Sequence, residues 1–172
     1  MNISHLAQVP RGGIVLVGLS ILLQVSCSDK LPSEYEGFFH LPSAERDKEF
    51  MKLSLEKQID TYVIATTHFR PPDRTYAIDI AKSGKAATHL LLRRLQEEKR
   101  EYVQEDLIYV FEWMAKLHHY DKAHASYLDY DVGSDKEALA EIERVVSLMH
   151  QPASREASQR SLAVILGKSA GG

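Results

Sequence analysis

The chain has 172 residues, of which 44% are hydrophobic and 26% charged, a balance that supports one folded domain with a real core. Its formal net charge of −3 argues against a nucleic-acid partner bound through a broad basic surface, which needs clustered Lys and Arg to displace counterions from phosphates. The single cysteine, Cys27, excludes an internal disulfide framework and any zinc site of the CxxC kind.

The amino-terminal stretch "MNISHLAQVPRGG" holds Arg11 as its only fixed side-chain charge and leads into the apolar run "IVLVGLSILL", Ile14 to Leu23. A helix needs about 20 apolar residues to cross a bilayer, so this run is too short to span one. It fits the core of a secretory signal peptide. Directly after it comes "LQVSC". Here the sequence resembles a bacterial lipoprotein signal peptide, whose lipobox ends in a small residue followed by an obligatory cysteine. Ser26 and Val25 fit that pattern, and Gln24 stands where an aliphatic residue is usual, with Leu23 one place earlier. The resemblance implies that residues 1–26 are removed as a signal peptide. It further implies that Cys27 receives a diacylglyceryl thioether and that its new amino group is acylated, so that membrane lipid is a partner. Each buried methylene contributes about 0.8 kcal/mol, so several chains anchor far more firmly than one. Ser28 beside the cysteine, in place of Asp, implies by the same resemblance the outer membrane, facing the periplasm.

Residues 27–42 include "SDKLPSEYEGFFHLP", which mixes Pro, Gly, Ser and aromatics without a helical period. They predict a lipidated tether that becomes ordered as it reaches the domain. Tyr35, Phe38 and Phe39 are costly to leave in water and are expected to pack on the first helices.

From residue 43 to 151 the pattern is helical. "SAERDKEFMKL" begins with Ser43 as a cap and acids in its first turn. In "SLEKQIDTYVIATTHF", Leu55, Ile59, Tyr62, Val63 and Thr66 recur at the spacing of one helix face, and the Pro71–Pro72 pair stops the run. "DRTYAIDIAKSG" predicts a short helix capped by Asp73, with Tyr76, Ala77, Ile80 and Ala81 inward and Gly84 as a left-handed stop. "KAATHLLLRRLQEEKRE" turns Leu91, Leu92 and Leu95 inward, with Arg93 spaced to pair with Glu97. The clearest helix is "EYVQEDLIYVFEWMAKL", where Val103, Leu107, Val110, Phe111, Met114 and Leu117 alternate steps of three and four. "SDKEALAEIERVVSLMH" opens on Ser134 and Glu137 at capping-box spacing and buries Leu139, Ile142, Val146 and Met149. The tail, 152–172, carries an apolar run at 162–166 that is expected to dock as one more helix ending at Gly167.

No two adjacent runs alternate with a hairpin turn between them, so the fold class is all-α, with about five to seven helices. The succession of helix pairs is loosely similar to HEAT-type hairpins, which stack in units of three or more; a small irregular bundle is the alternative.

Two clusters bear on chemistry. His118, His119, Asp121 and His124 are imidazole and carboxylate groups of the kind that bind zinc, nickel or copper, although their spacing matches no standard tetrahedral set. The bland reading places His118 and His119 at a helix end, complementing terminal carbonyls. Asp129, Asp131 and Asp135 with Gly133 resemble an oxygen-rich calcium loop, but the glycine arrives early and the closing glutamate is missing. No nucleophile elbow, phosphate-cradling loop or HExxH pair is present. Asp60 and Asp79 read as solvated acids. The expectation is therefore a non-enzymatic envelope lipoprotein that needs no cofactor, whose helical domain serves as an interaction or scaffold module for an envelope protein. A metal-handling envelope protein using the His/Asp cluster is the alternative.

Overall fold

The computed structural model describes residues 30–69 and 72–168. Among them are eight helices and no strand: α1 (Ser33–Phe39), α2 (Ser43–Lys52), α3 (Leu55–His68), α4 (Ala77–Ala81), α5 (Lys85–Glu97), α6 (Glu101–His118), α7 (Lys136–Leu148) and α8 (Pro152–Ile165). A single 3-10 turn, Val132–Ser134, precedes α7. No helix of the described residues is long and apolar enough to cross a membrane.

The packing follows a simple rule. Helices α3 and α4, α5 and α6, and α7 and α8 form three successive pairs. The first members stack on one another, α3 on α5 and α5 on α7. The second members do the same, α4 on α6 and α6 on α8. The result is a two-layer array of three helical hairpins, the smallest number that stacked units usually need. Within the second layer α6 and α8 run in the same direction. The Glu101 carboxylate at the start of α6 accepts the backbone N–H groups of His150 and Gln151 just ahead of α8, at 2.8 and 2.7 Å. Further along, Glu112 accepts the Ser161 hydroxyl.

Residues 33–39, read from sequence as part of the tether, form α1. The helix starts immediately after Pro32, whose fixed φ of −58° suits a helix entry, and places Glu34 and Glu36 in its first turn. The aromatic residues pack as expected: Tyr35 is buried, Phe38 lies 6.2 Å from Tyr76 and Phe39 lies 5.0 Å from Phe69 between ring centroids. Phe50 of α2 stacks on Tyr76 at 4.0 Å, so α1 and α2 cover the first end of the array.

The predicted stripes are the observed core. All six apolar positions predicted to face inward on α6 are buried, as are Leu91, Leu92 and Leu95 on α5 and Tyr76, Ala77, Ile80 and Ala81 around α4. Leu55 and Leu139 lie at the edge of the core, and Ala138 and Val145 face inward on α7. The caps differ. Ser43 is the first residue of α2 and Pro42 holds the cap position. Asp135, not Ser134, caps α7, its Oδ1 accepting the N–H groups of Glu137 and Ala138. Asp73 closes a turn onto Thr75 rather than capping α4 directly. Gly84 does adopt a positive φ of 50°, where a Cβ would meet Leu128 Cδ1 at 2.9 Å and Tyr130 Cβ at 3.3 Å. Both backbone conformation and space therefore require glycine there.

Candidate functional site

Cys27 lies outside the described residues, so its lipidation rests on the sequence alone. The candidate metal ligands His118, His119, Asp121 and His124 stand on the turn from α6 into the following loop. His118 is the last residue of α6, and its Nδ1 lies 3.0 Å from the Leu128 carbonyl oxygen. His119 is exposed, with its ring 5.8 Å from that of His118. Asp121 uses Oδ1 to accept the Ala123 N–H at 2.8 Å, and His124 accepts the Ser126 N–H on its Nδ1 at 3.1 Å. His118, Asp121 and His124 thus fasten the helix end and the loop, each through an atom that could otherwise serve as a metal ligand. Among the described residues, no group of three or more His, Cys, Asp and Glu side chains is arranged to hold a metal ion.

The acids of the calcium-like stretch also work locally. Asp131 accepts the Gly133 N–H at 2.9 Å and the Ser134 hydroxyl, and these bonds hold its carboxyl below the usual aspartate range. Asp135 accepts from Tyr130 Oη at 2.7 Å, and Tyr130 in turn accepts from Thr88 Oγ1 at 3.1 Å. This chain ties α5 to the cap of α7, and burial pushes the Tyr130 phenol up to about 12. Asp79 pairs with Lys82 at 2.7 Å, and Arg93 reaches Glu56 of α3 at 3.8 Å rather than Glu97.

One further polar site was not legible in the sequence. It is a groove of about 280 Å³ between α6 and α8, lined by Arg74, Glu105, Tyr109, Glu112, Arg160 and Ser161 among others. The Arg74 guanidinium closes one end. Its Nε donates to Asp106 Oδ1 at 2.7 Å, its Nη2 to Glu105 Oε1 at 2.7 Å, and its Cζ lies 4.9 Å from the Tyr109 ring centroid. Asp106 is 1% exposed. Burial pushes its carboxyl up, and the adjacent Arg74 charge opposes that shift without cancelling it. Tyr62 Oη donates to the Asp106 carbonyl oxygen at 2.9 Å, and desolvation raises this phenol well above its ordinary range. On the other side, Lys116 Nζ meets Glu112 Oε1 at 2.5 Å and lies 4.7 Å from the Trp113 ring centroid. The carboxylates of the groove are thus each matched to a donor within it, which fixes their geometry. Ser161, the hydroxyl bonded to Glu112, is 6% exposed, so it serves the seam between the helices.

The protein class defined by these observations is a capped array of three α-hairpins with a polar, internally satisfied groove in its second layer. No family model, curated protein or solved structure matches the chain.

Proposed function

We propose that the protein is a lipid-anchored component of the bacterial cell envelope, held through an acylated Cys27, most consistently at the outer membrane facing the periplasm. Its hairpin array acts there as an interaction or scaffold module rather than as an enzyme. The observation that carries the reading is "IVLVGLSILLQVSC": an apolar run too short to span a bilayer, followed by a small residue and the chain's only cysteine. Arrays of stacked hairpins present extended surfaces built from many side chains, which suits binding to another envelope protein. Anchoring confines that surface to a thin shell and raises its effective concentration toward membrane partners.

The test is processing. Radiolabelled fatty acid is incorporated into the wild-type protein and lost in Cys27→Ala, and globomycin causes the unprocessed precursor to accumulate. Recovery of an unlabelled wild-type protein with a free thiol and an intact leader overturns the reading.

A further inference from the structure

The α1–α2 cap carries an apolar feature that the core does not use. Met51 is 59% exposed, although its helix neighbour Phe50 is fully buried. Around it runs a shallow groove of about 1010 Å³, in which Gly37, Leu41 and Met51 are flanked by the charged residues Glu45, Asp47, Lys48, Glu49 and Lys52. Nothing lies within 4 Å of where a Cβ on Gly37 would stand, so the groove is open along α1. A second observation is covalent. Residues 28–32 alone separate Cys27 from α1. At about 3.6 Å per residue, such a link reaches no further than about 20 Å. The start of α1, and with it the capped end of the array, is therefore tethered within that distance of whatever holds Cys27.

We infer that the α1–α2 face bearing Met51 and Leu41 rests on the surface of the bilayer that holds Cys27, with Met51 entering the boundary between headgroups and acyl chains. The inference rests on the proposed acylation of Cys27. Lys48 and Lys52 can lay their hydrocarbon stems on the same boundary while their charges stay in water. Charge selects the lipid. Glu45, Asp47 and Glu49 outnumber Lys48 and Lys52, and Lys52 is already paired with Glu49 at 2.6 Å. An anionic leaflet repels such a face, whereas a zwitterionic one does not.

The full acylated protein tests this directly. Acylation blocks the native thiol, so Met51→Cys supplies the reactive sulfur, and Leu148→Cys at the exposed end of α7 supplies the comparison. Each is labelled with bimane in phosphatidylcholine vesicles carrying doxyl-labelled lipid. The dye at position 51 is expected to be quenched several-fold more than the dye at position 148, and less when phosphatidylglycerol is added at low salt. Equal quenching at both positions, with the protein still floating with the vesicles, overturns the bilayer-facing surface and leaves the anchor intact. Quenching that rises with phosphatidylglycerol overturns the choice of lipid. A protein that does not float, or whose Cys27 reacts with the dye, overturns the anchor and this surface together.

Discussion

Replacing Arg74 by alanine strands a carboxylate in the protein interior. Asp106 is 1% exposed and takes its charge-assisted bond from Arg74 at 2.7 Å. Removing one partner of a fully buried ion pair costs about 3–5 kcal/mol, because the remaining charge keeps its desolvation penalty. The Arg74 side chain is 35% exposed, so water enters the space it leaves, and a loss of about 2–3 kcal/mol is expected. With a urea slope of about 2 kcal/mol/M, the unfolding midpoint falls by about 1–1.5 M. Trp113, the only tryptophan, lies on the same helix as Asp106 and reports the transition by fluorescence. The loss also has a pH signature. Burial already raises the Asp106 carboxyl, and without the guanidinium it rises further, so the folded variant holds this proton more tightly than the unfolded chain. Its deficit is therefore full above the folded-state pKa and shrinks as pH falls into the ordinary aspartate range. Adding Asp106→Asn to Arg74→Ala should restore part of the stability, since no charge is then stranded. An Arg74→Ala protein within about 0.5 kcal/mol of wild type at neutral pH, the range of ordinary surface substitutions, refutes the reasoning.

Gly84→Ala forces a side chain into a positive-φ position and against Leu128, at a cost of about 2 kcal/mol, and lowers the melting temperature by about 5 °C; an unchanged melting curve contradicts the geometry. Asp135→Ala removes the cap of α7 and costs about 1–2 kcal/mol in urea unfolding, whereas Ser134→Ala stays within about 0.5 kcal/mol. A larger loss in Ser134→Ala than in Asp135→Ala would return the cap to Ser134. The N–H groups of His150 and Gln151 hold the Glu101 carboxyl below its usual range. Its stabilisation is present at neutral pH and disappears as pH falls through that depressed pKa, so Glu101→Gln flattens the acid side of a midpoint-against-pH curve. A Glu101→Gln curve as steep as that of wild type removes Glu101 from the account.

Apolar periodicity made most of the fold legible. On α6, α5 and α4 the inward residues are those that recur at three and four, because burial of large side chains dominates the free energy of these helices. Helix ends were read less well. Ser134 and Asp135 are both good caps, and a one-residue choice between them depends on Tyr130 Oη, which arrives from the preceding loop. Helix α1 has too few residues for its period to show, and its stability comes from aromatic packing on Tyr76 and Phe69. The inner face of α8 was invisible for a different reason: Ser154, Ser158 and Ser161 are buried there, and hydroxyl residues at helical spacing look solvated in a sequence. The groove beside it joins Arg74 to Glu105 and Asp106 across more than thirty residues, a pairing no local pattern encodes.

The parallel course of α6 and α8 has an electrostatic consequence. Every helix carries a partial positive charge at its start, and two helices laid side by side in one direction bring those starts together. The first turn of α8 contains no acid of its own, while that of α6 contains Glu101. Glu101 therefore offsets the positive starts of both helices, and its loss uncovers like charge on both neighbours at once.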